Sequence, residues 1–438
     1  MQTRRIGALV VAAMVVTGAC SSAATTAPAA AAGSAAAPTA SAAASGKTVT
    51  IGVDLPLSGG EFANGDPQEK GIKLAVDQAN ASGGVGGYTI KLNIKDDAVN
   101  GQHNVQQGAS NVNTLAADPS MIGIVGPWNS NLAAAQIPIT NTAGLLQCSP
   151  GTTNPSLTKP AYGALELRKA NPTKINFVRV ATTDDIQGFA GAEFAYTDLG
   201  KRGVYVVDDT GTYGKGLADV FVASFTKLGG TVVKVDGAPP TTTDYTPLLT
   251  AALALKPDYV YFGGNTPTGG GLLRKQMPQA GLGSIDFGGG DGIVDGTGDV
   301  KGSFISVVGA GAANSYGTIA GAHDMANAAA FAATYQKAYG EAPGIYSIYA
   351  YSCTQIILNA LKNVASTATT PAALREAVRA YAVDPSHKVD TEMGSITFDS
   401  NGDVTSHFIS FYKTDMTAAS GKGDWVFVRQ QDFASTGQ

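Results

Sequence analysis

The stretch GVYVVD (Gly203–Asp208), GLADVFVASFTKL (Gly216–Leu228), TVVKV (Thr231–Val235), YTPLLTAALAL (Tyr245–Leu255) and DYVYFG (Asp258–Gly263) decides the fold class. Its first, third and fifth pieces are short and almost continuously Val, Tyr and Phe, the composition of strands buried on both faces. The second and fourth carry apolar residues three and four apart, the spacing of a helix with one buried side. Strand, helix, strand, helix, strand with short connections predicts a parallel sheet wrapped by crossover helices.

The same alternation runs toward the N-terminus. Val49–Leu55 reads as a strand, Glu69–Ala81 as a helix, Thr89–Asp96 as a strand, Val105–Ala117 as a helix and Ile122–Gly126 as a strand, and a second series begins near Ile175. After Phe304–Val308 the pattern turns helical, over Ala326–Tyr339, Ile348–Val364 and Pro371–Tyr381. Ser395–Phe398 and His407–Tyr412 then read as a hairpin around Ser400, Asn401 and Gly402. Two α/β units in tandem are expected, which suits 438 residues at roughly 150 per domain. Parallel sheets bind ligands at the carboxyl ends of their strands. Here those ends, Leu57–Gly60, Gly126–Ser130, Asp208–Thr210 and Gly288–Gly292, are rich in Gly, Ser, Thr and Asp.

Composition removes several function classes. Charged residues are 14% of the chain against an average near ~25%, so a charged disordered chain is excluded. The net charge is −5 with no basic run, which excludes the electrostatic footprint of a nucleic-acid binder. His103, His323, His387 and His407 are scattered without metal-ligand spacing, and three cysteines cannot build a disulfide framework. Cys148 and Cys353 read as buried, unreactive thiols rather than nucleophiles. No dinucleotide fingerprint, P-loop, nucleophile elbow or His-Glu zinc helix is present. Neither catalysis nor a cofactor or metal is expected.

At the start, Arg4 and Arg5 precede the apolar run Ile6–Ala19, which ends in small residues before Cys20. The run is shorter than the ~20 residues of a membrane-spanning helix and reads as a secretory signal. A cysteine in that place resembles the bacterial lipobox, although Thr17 stands where leucine is usual. The resemblance implies a lipid on Cys20. Ser21–Gly46 is Ala, Ser, Thr, Pro and Gly without a charge, a flexible tether that would hold the folded part to the outer face of a membrane.

Ser149, Pro150, Gly151, Thr152, Thr153, Asn154 and Pro155, followed by Leu157 and Thr158, resemble the S-P-G-A-T-N-P-x-L-T segment of the Leu/Ile/Val-binding proteins that deliver amino acids to ABC transporters. Val53–Gly60, Gly71–Gly84, the Tyr213–Gly216 loop and Gly264–Gly281 resemble that family in the same order. The resemblance implies the type I periplasmic binding fold: two Rossmann-like α/β lobes with parallel sheets, joined by a three-crossover hinge around a ligand cleft. It places lobe 1 at 47–183 plus 313–393 and lobe 2 at 184–312 plus 394–438. The function it implies is an extracytoplasmic, monomeric lipoprotein that captures an amino acid or related small polar molecule for a permease. A ligand-sensing receptor on the same fold, reading an amide, urea or small acid, is the alternative.

Residue by residue, the resemblance gives Ser130 the ligand carboxylate, beside backbone N–H groups at a helix start; a plain N-cap serine is the structural alternative. Thr153, with the Thr152 backbone, matches the residue binding the ligand's amino and carboxyl ends. Asp291 falls where the family has the acid that pairs with the ammonium, and Asp184 and Tyr213 fall at second-lobe cleft positions. Asn64 and Asn265 stand where aliphatic amino-acid binders carry aromatics. Trp128 and Asn129 replace an aliphatic residue and a cysteine, Val99 standing at the partner cysteine, so the family's usual disulfide is not expected. Trp128 either stacks on a ligand or fills the lobe. Three amides where rings are usual predict a ligand more polar than leucine.

Overall fold

The computed structural model describes residues 46–434; the signal, Cys20 and nearly all of the tether lie outside them. Two sheets organise this part. The first is wholly parallel, in the order Tyr88–Asp96, Lys47–Leu55, Met121–Val125, Leu146–Ser149, Phe177–Arg179. Its strands are continuous apolar runs because helices cover both faces: Val49, Ile51, Val53 and Leu55 are all buried. The second runs Asp424–Asp432, Phe408–Asp415, Ser315–Ile319, Asp286–Gly289, Tyr259–Gly263, Gly203–Asp208, Thr231–Gly237. Five of these strands are parallel, and the last two in the chain add antiparallel at one edge.

Local chemistry sets the helix ends. The Asn104 side chain accepts from the Gln107 N–H to start Val105–Ala117, and Thr370 accepts from Ala373 ahead of Pro371 to start Pro371–Ala382. Ser130–Ala143 stops at Gly144, whose φ of 60° suits a residue without Cβ. Two helices begin earlier than their patterns predict. Phe62–Ala81 takes in Pro67, whose carbonyl accepts from Ser347 Oγ at 2.8 Å. Thr212–Lys227 takes in the Tyr213–Gly216 segment, expected as a loop, as its first turns.

The expected hairpin divides. Gly394–Ile396 pairs with Val389–Thr391 instead, while Phe408–Asp415 joins the second sheet. Only a single bridge, Phe398 to Val404, closes the turn at Ser400–Gly402, and that turn docks on the edge of the first sheet through an Arg179 to Asp403 bridge. Ile409 and Phe411 are buried against Phe194, an apolar surface that a free hairpin could not supply. Ser315–Ile319 hydrogen-bonds within the second sheet, whereas Gly394–Ile396 stays with the helix Ser347–Val364 side. We therefore place the second crossover after Ile319 rather than at 312/313, and the third after Ile396 rather than at 393/394.

The reading of free cysteines is overturned: Cys148, on the strand Leu146–Ser149, is disulfide-bonded to Cys353 on the helix Ser347–Val364, with Cα atoms 5.6 Å apart. The helix crosses the first sheet at that strand, so two apolar-context cysteines 205 positions apart meet inside the core.

Candidate functional site

Glycines let the chain approach itself where the lobes face. Gly126 has φ +118°, and a Cβ there would lie 2.1 Å from the Asp54 carbonyl oxygen; the chain then turns through Trp128 and Asn129 into helix Ser130–Ala143. A Cβ on Gly151 would stand 2.4 Å from the Trp128 indole. Trp128 is thus packed on the 149–154 loop and also edge-on to Tyr346, centroids 6.2 Å apart. It both fills the lobe and borders the cleft.

Ser130 Oγ accepts from the backbone N–H groups of Thr153 and Asn154, each at 3.3 Å. Its hydroxyl therefore orders the neighbouring loop and does not cap its own helix. The N-cap residue, Asn129, makes no side-chain cap either; Asn131 Oδ1 takes the Leu132 N–H at 3.1 Å, and the N–H groups ahead of it leave the positive end of this helix able to meet an anion. Thr152 turns inward to Ser149 Oγ at 2.8 Å. Thr153 and Asp184 are buried against each other: the Thr153 side chain bonds the Asp184 carboxyl, and the Asp184 N–H donates to the Thr153 carbonyl at 2.8 Å.

Across the cleft, Asp291 accepts from Tyr213 Oη at 2.6 Å, Tyr346 Oη at 2.7 Å and Gln187 Nε2 at 3.1 Å. The buried carboxylate was expected to need a zwitterion for compensation. Three protein donors already supply it. Tyr346 precedes the helix over the first sheet, so its bond to Asp291 draws the lobes together, as does Asn154 Nδ2 donating to the Thr212 carbonyl at 2.6 Å.

Of the expected residues, Trp128, Asn129, Ser130, Tyr213, Asn265 and Asp291 line one narrow space of about 20 Å³, together with His103 and Asp209. Thr152, Thr153 and Asp184 are not on its walls. Asn64 is elsewhere: it lines a separate cavity of about 430 Å³ that also borders Tyr346. The early start of helix Phe62–Ala81 carries it there. Asp209 lies in the Asp208–Thr210 strand end that the sequence marks, whereas Tyr346, Gln187 and His103 were missed by sequence reading, because none belongs to a motif and each arrives from a different element.

Burial raises the Asp184 carboxyl well above the usual range, and the charge of Asp291 adds to it. Asp291 is raised by burial too, against the pull of its three donors. Tyr213 and Tyr346 are pushed up by burial and by Asp291, so both stay protonated donors. Burial alone would lower His103, but Glu61 Oε1 at 2.5 Å from Nδ1 outweighs it and raises the imidazole. Burial also raises Asp54, and it lifts Asp295 to about 7.

These shifts share one sign. Acids raised above their unfolded values bind more protons folded than unfolded, so stability falls as pH climbs from about 4 toward their folded values. The stabilisation from protonated His103 is full below about 6.5 and is lost as pH rises through its raised value. The urea midpoint should fall between pH 5 and pH 8. A midpoint that rises over this interval would contradict the assignment.

Comparison with known proteins fits this geometry. The periplasmic binding protein family matches residues 48–421. A Leu/Ile/Val-binding protein of Rhizobium johnstonii is 31% identical over 371 residues, covering 83% of this chain and 91% of its own. A Leu/Ile/Val-binding protein homolog of Brucella melitensis is 30% identical over 370 residues, covering 84% and 91%. Among solved structures, a branched-chain amino acid transporter substrate-binding protein of Streptococcus pneumoniae in complex with isoleucine aligns with TM-score 0.70 at 24% identity, over 87% of this chain and 100% of that one. A solute-binding protein of R. palustris in complex with 4-hydroxybenzoate aligns with TM-score 0.71 at 18% identity, over 88% and 97%. With the two-lobed α/β architecture, the chain belongs to the periplasmic binding proteins of type I, in the Leu/Ile/Val-binding family of ABC-transporter solute receptors.

Proposed function

We propose that this protein captures an amino acid or a related small polar molecule between its lobes and delivers it to an ABC transporter permease. One observation carries the reading: the N-terminus of helix Ser130–Ala143 and the acid Asp291 line the same space from opposite lobes. A ligand with a carboxylate and an ammonium meets a complementary charge at each end. Contacting both lobes at once, it stabilises the closed state, and the permease reads that population. The relatives named for leucine, isoleucine and valine support an amino acid, while Asn129 and Asn265 on the walls favour a polar one. A lipid on Cys20 would keep the receptor at the outer face of the membrane.

Thermal shifts of the refolded chain against amino acids, their amides, urea, polyamines and short acids test this. A ligand at 100 times its Kd adds roughly 2.7 kcal/mol. Asp291→Asn should weaken any ligand bearing an ammonium by about thirtyfold or more, with less effect on acids that lack one. Equal affinity in both proteins would remove Asp291 from the clamp.

A further inference from the structure

The space lined by Ser130 and Asp291 is about 20 Å³, room for about one water. The bulk of any bound molecule must go elsewhere. Tyr346 links the two spaces: its hydroxyl bonds Asp291 and its ring meets Trp128, both on the narrow side, and it lines the 430 Å³ cavity. That volume lies within the range of small-molecule sites. Buried Phe331 and Ile348 give the cavity apolar walls.

Its polar groups are unfinished. Asn64 Nδ2 and Trp425 Nε1 belong to lining residues that are each more than nine-tenths buried, and neither has a hydrogen-bond partner among the described residues. The Asp295 carboxyl beside them is held by the Phe304 N–H at 2.7 Å and by the Thr266 side chain. Two buried donors without partners are costly unless something fills them. They come from both lobes, Asn64 from the helix Phe62–Ala81 and Trp425 from the strand Asp424–Asp432.

We propose that the cavity behind Tyr346 houses the body of the ligand, and that this body is an apolar group of aromatic size bearing a hydroxyl or amide whose oxygen accepts from Asn64 and Trp425. The inference rests on the capture reading above and narrows its substrate class: the clamp takes the charged end, Tyr346 moves aside, and the larger cavity takes the rest. Leucine-sized side chains would leave most of the cavity and both polar groups unused.

Calorimetry on the full chain, refolded to strip bound solute, tests it with alanine, leucine, tyrosine and 4-hydroxyphenylpropionate. Ala328 and Ala332 line the cavity away from the clamp and are only half-buried, so Ala328→Phe and Ala332→Phe fill it at positions that tolerate bulk. Tyrosine is expected to bind at least tenfold tighter than alanine, and either filled variant to weaken tyrosine at least tenfold more than alanine. Equal affinities for alanine and tyrosine, or a preference that survives both fillings, overturn the cavity while the amino-acid reading stands. Binding of 4-hydroxyphenylpropionate alone, lost on filling, keeps the cavity and overturns the amino-acid reading. No binding of any of the four to the parent protein overturns both.

Discussion

Replacing Cys148 and Cys353 together by alanine should lower the unfolding free energy by on the order of 5 kcal/mol. The bond closes a loop spanning 205 positions, and the entropy removed from the unfolded chain grows with the logarithm of that length. The bridge joins the first sheet to the helix that covers it, so its loss also frees the segment that ends in Tyr346. Urea unfolding of the parent with and without reductant, beside the double alanine variant, measures this. A midpoint indifferent to both treatments would show that the two thiols are not joined.

Arg179→Met should cost about 3–5 kcal/mol, the range for a buried ion pair that loses one partner. Arg179 is fully buried; Nε donates to Asp403 Oδ1 at 2.7 Å, Nη1 to the Asn154 carbonyl at 2.7 Å and Nη2 to Thr158 Oγ1 at 2.5 Å. One guanidinium therefore ties the loop of Thr152–Asn154 to the 399–403 turn at the lobe boundary. Methionine fills the volume but leaves Asp403 charged and the loop carbonyls without a donor. The double variant Arg179→Met with Asp403→Leu should recover much of the stability and little of the ligand affinity, since the loop remains untied. Recovery of both would make the pair a stability element alone.

Much of the architecture was legible because period and composition are local. Val49–Leu55 and Gly203–Asp208 read as buried strands from their own residues, and the structure has strands at Lys47–Leu55 and Gly203–Asp208. Failures fall where long-range contact chose between local options. The helix pattern begins at Glu69, yet the helix starts at Phe62 and takes in Pro67, whose carbonyl Ser347 and Tyr335 bond from across the lobe. The hairpin at Ser400–Gly402 was sound as a turn, but its arms gained more by pairing elsewhere.

The site divides in the same way. Ser130, Thr153 and Asp291 stand out in the sequence because glycine-rich strand ends and a family-like segment surround them, and the structure brings Ser130 and Asp291 to one space with the Thr153 N–H bonded to Ser130. Their partners could not be read off. Tyr346 is an ordinary residue ahead of an ordinary helix, and its hydroxyl matters only because the fold sets it 2.7 Å from Asp291. Sequence by itself determined the alternating α/β plan and the loops that carry the ligand ends, since hydrophobic period and turn chemistry act within a few residues. Tertiary structure alone decided the Cys148–Cys353 bond, the three donors on Asp291 and the removal of Asn64 to the larger cavity. Each joins elements far apart in the chain, and such contacts form only when the sheets and their covering helices have packed.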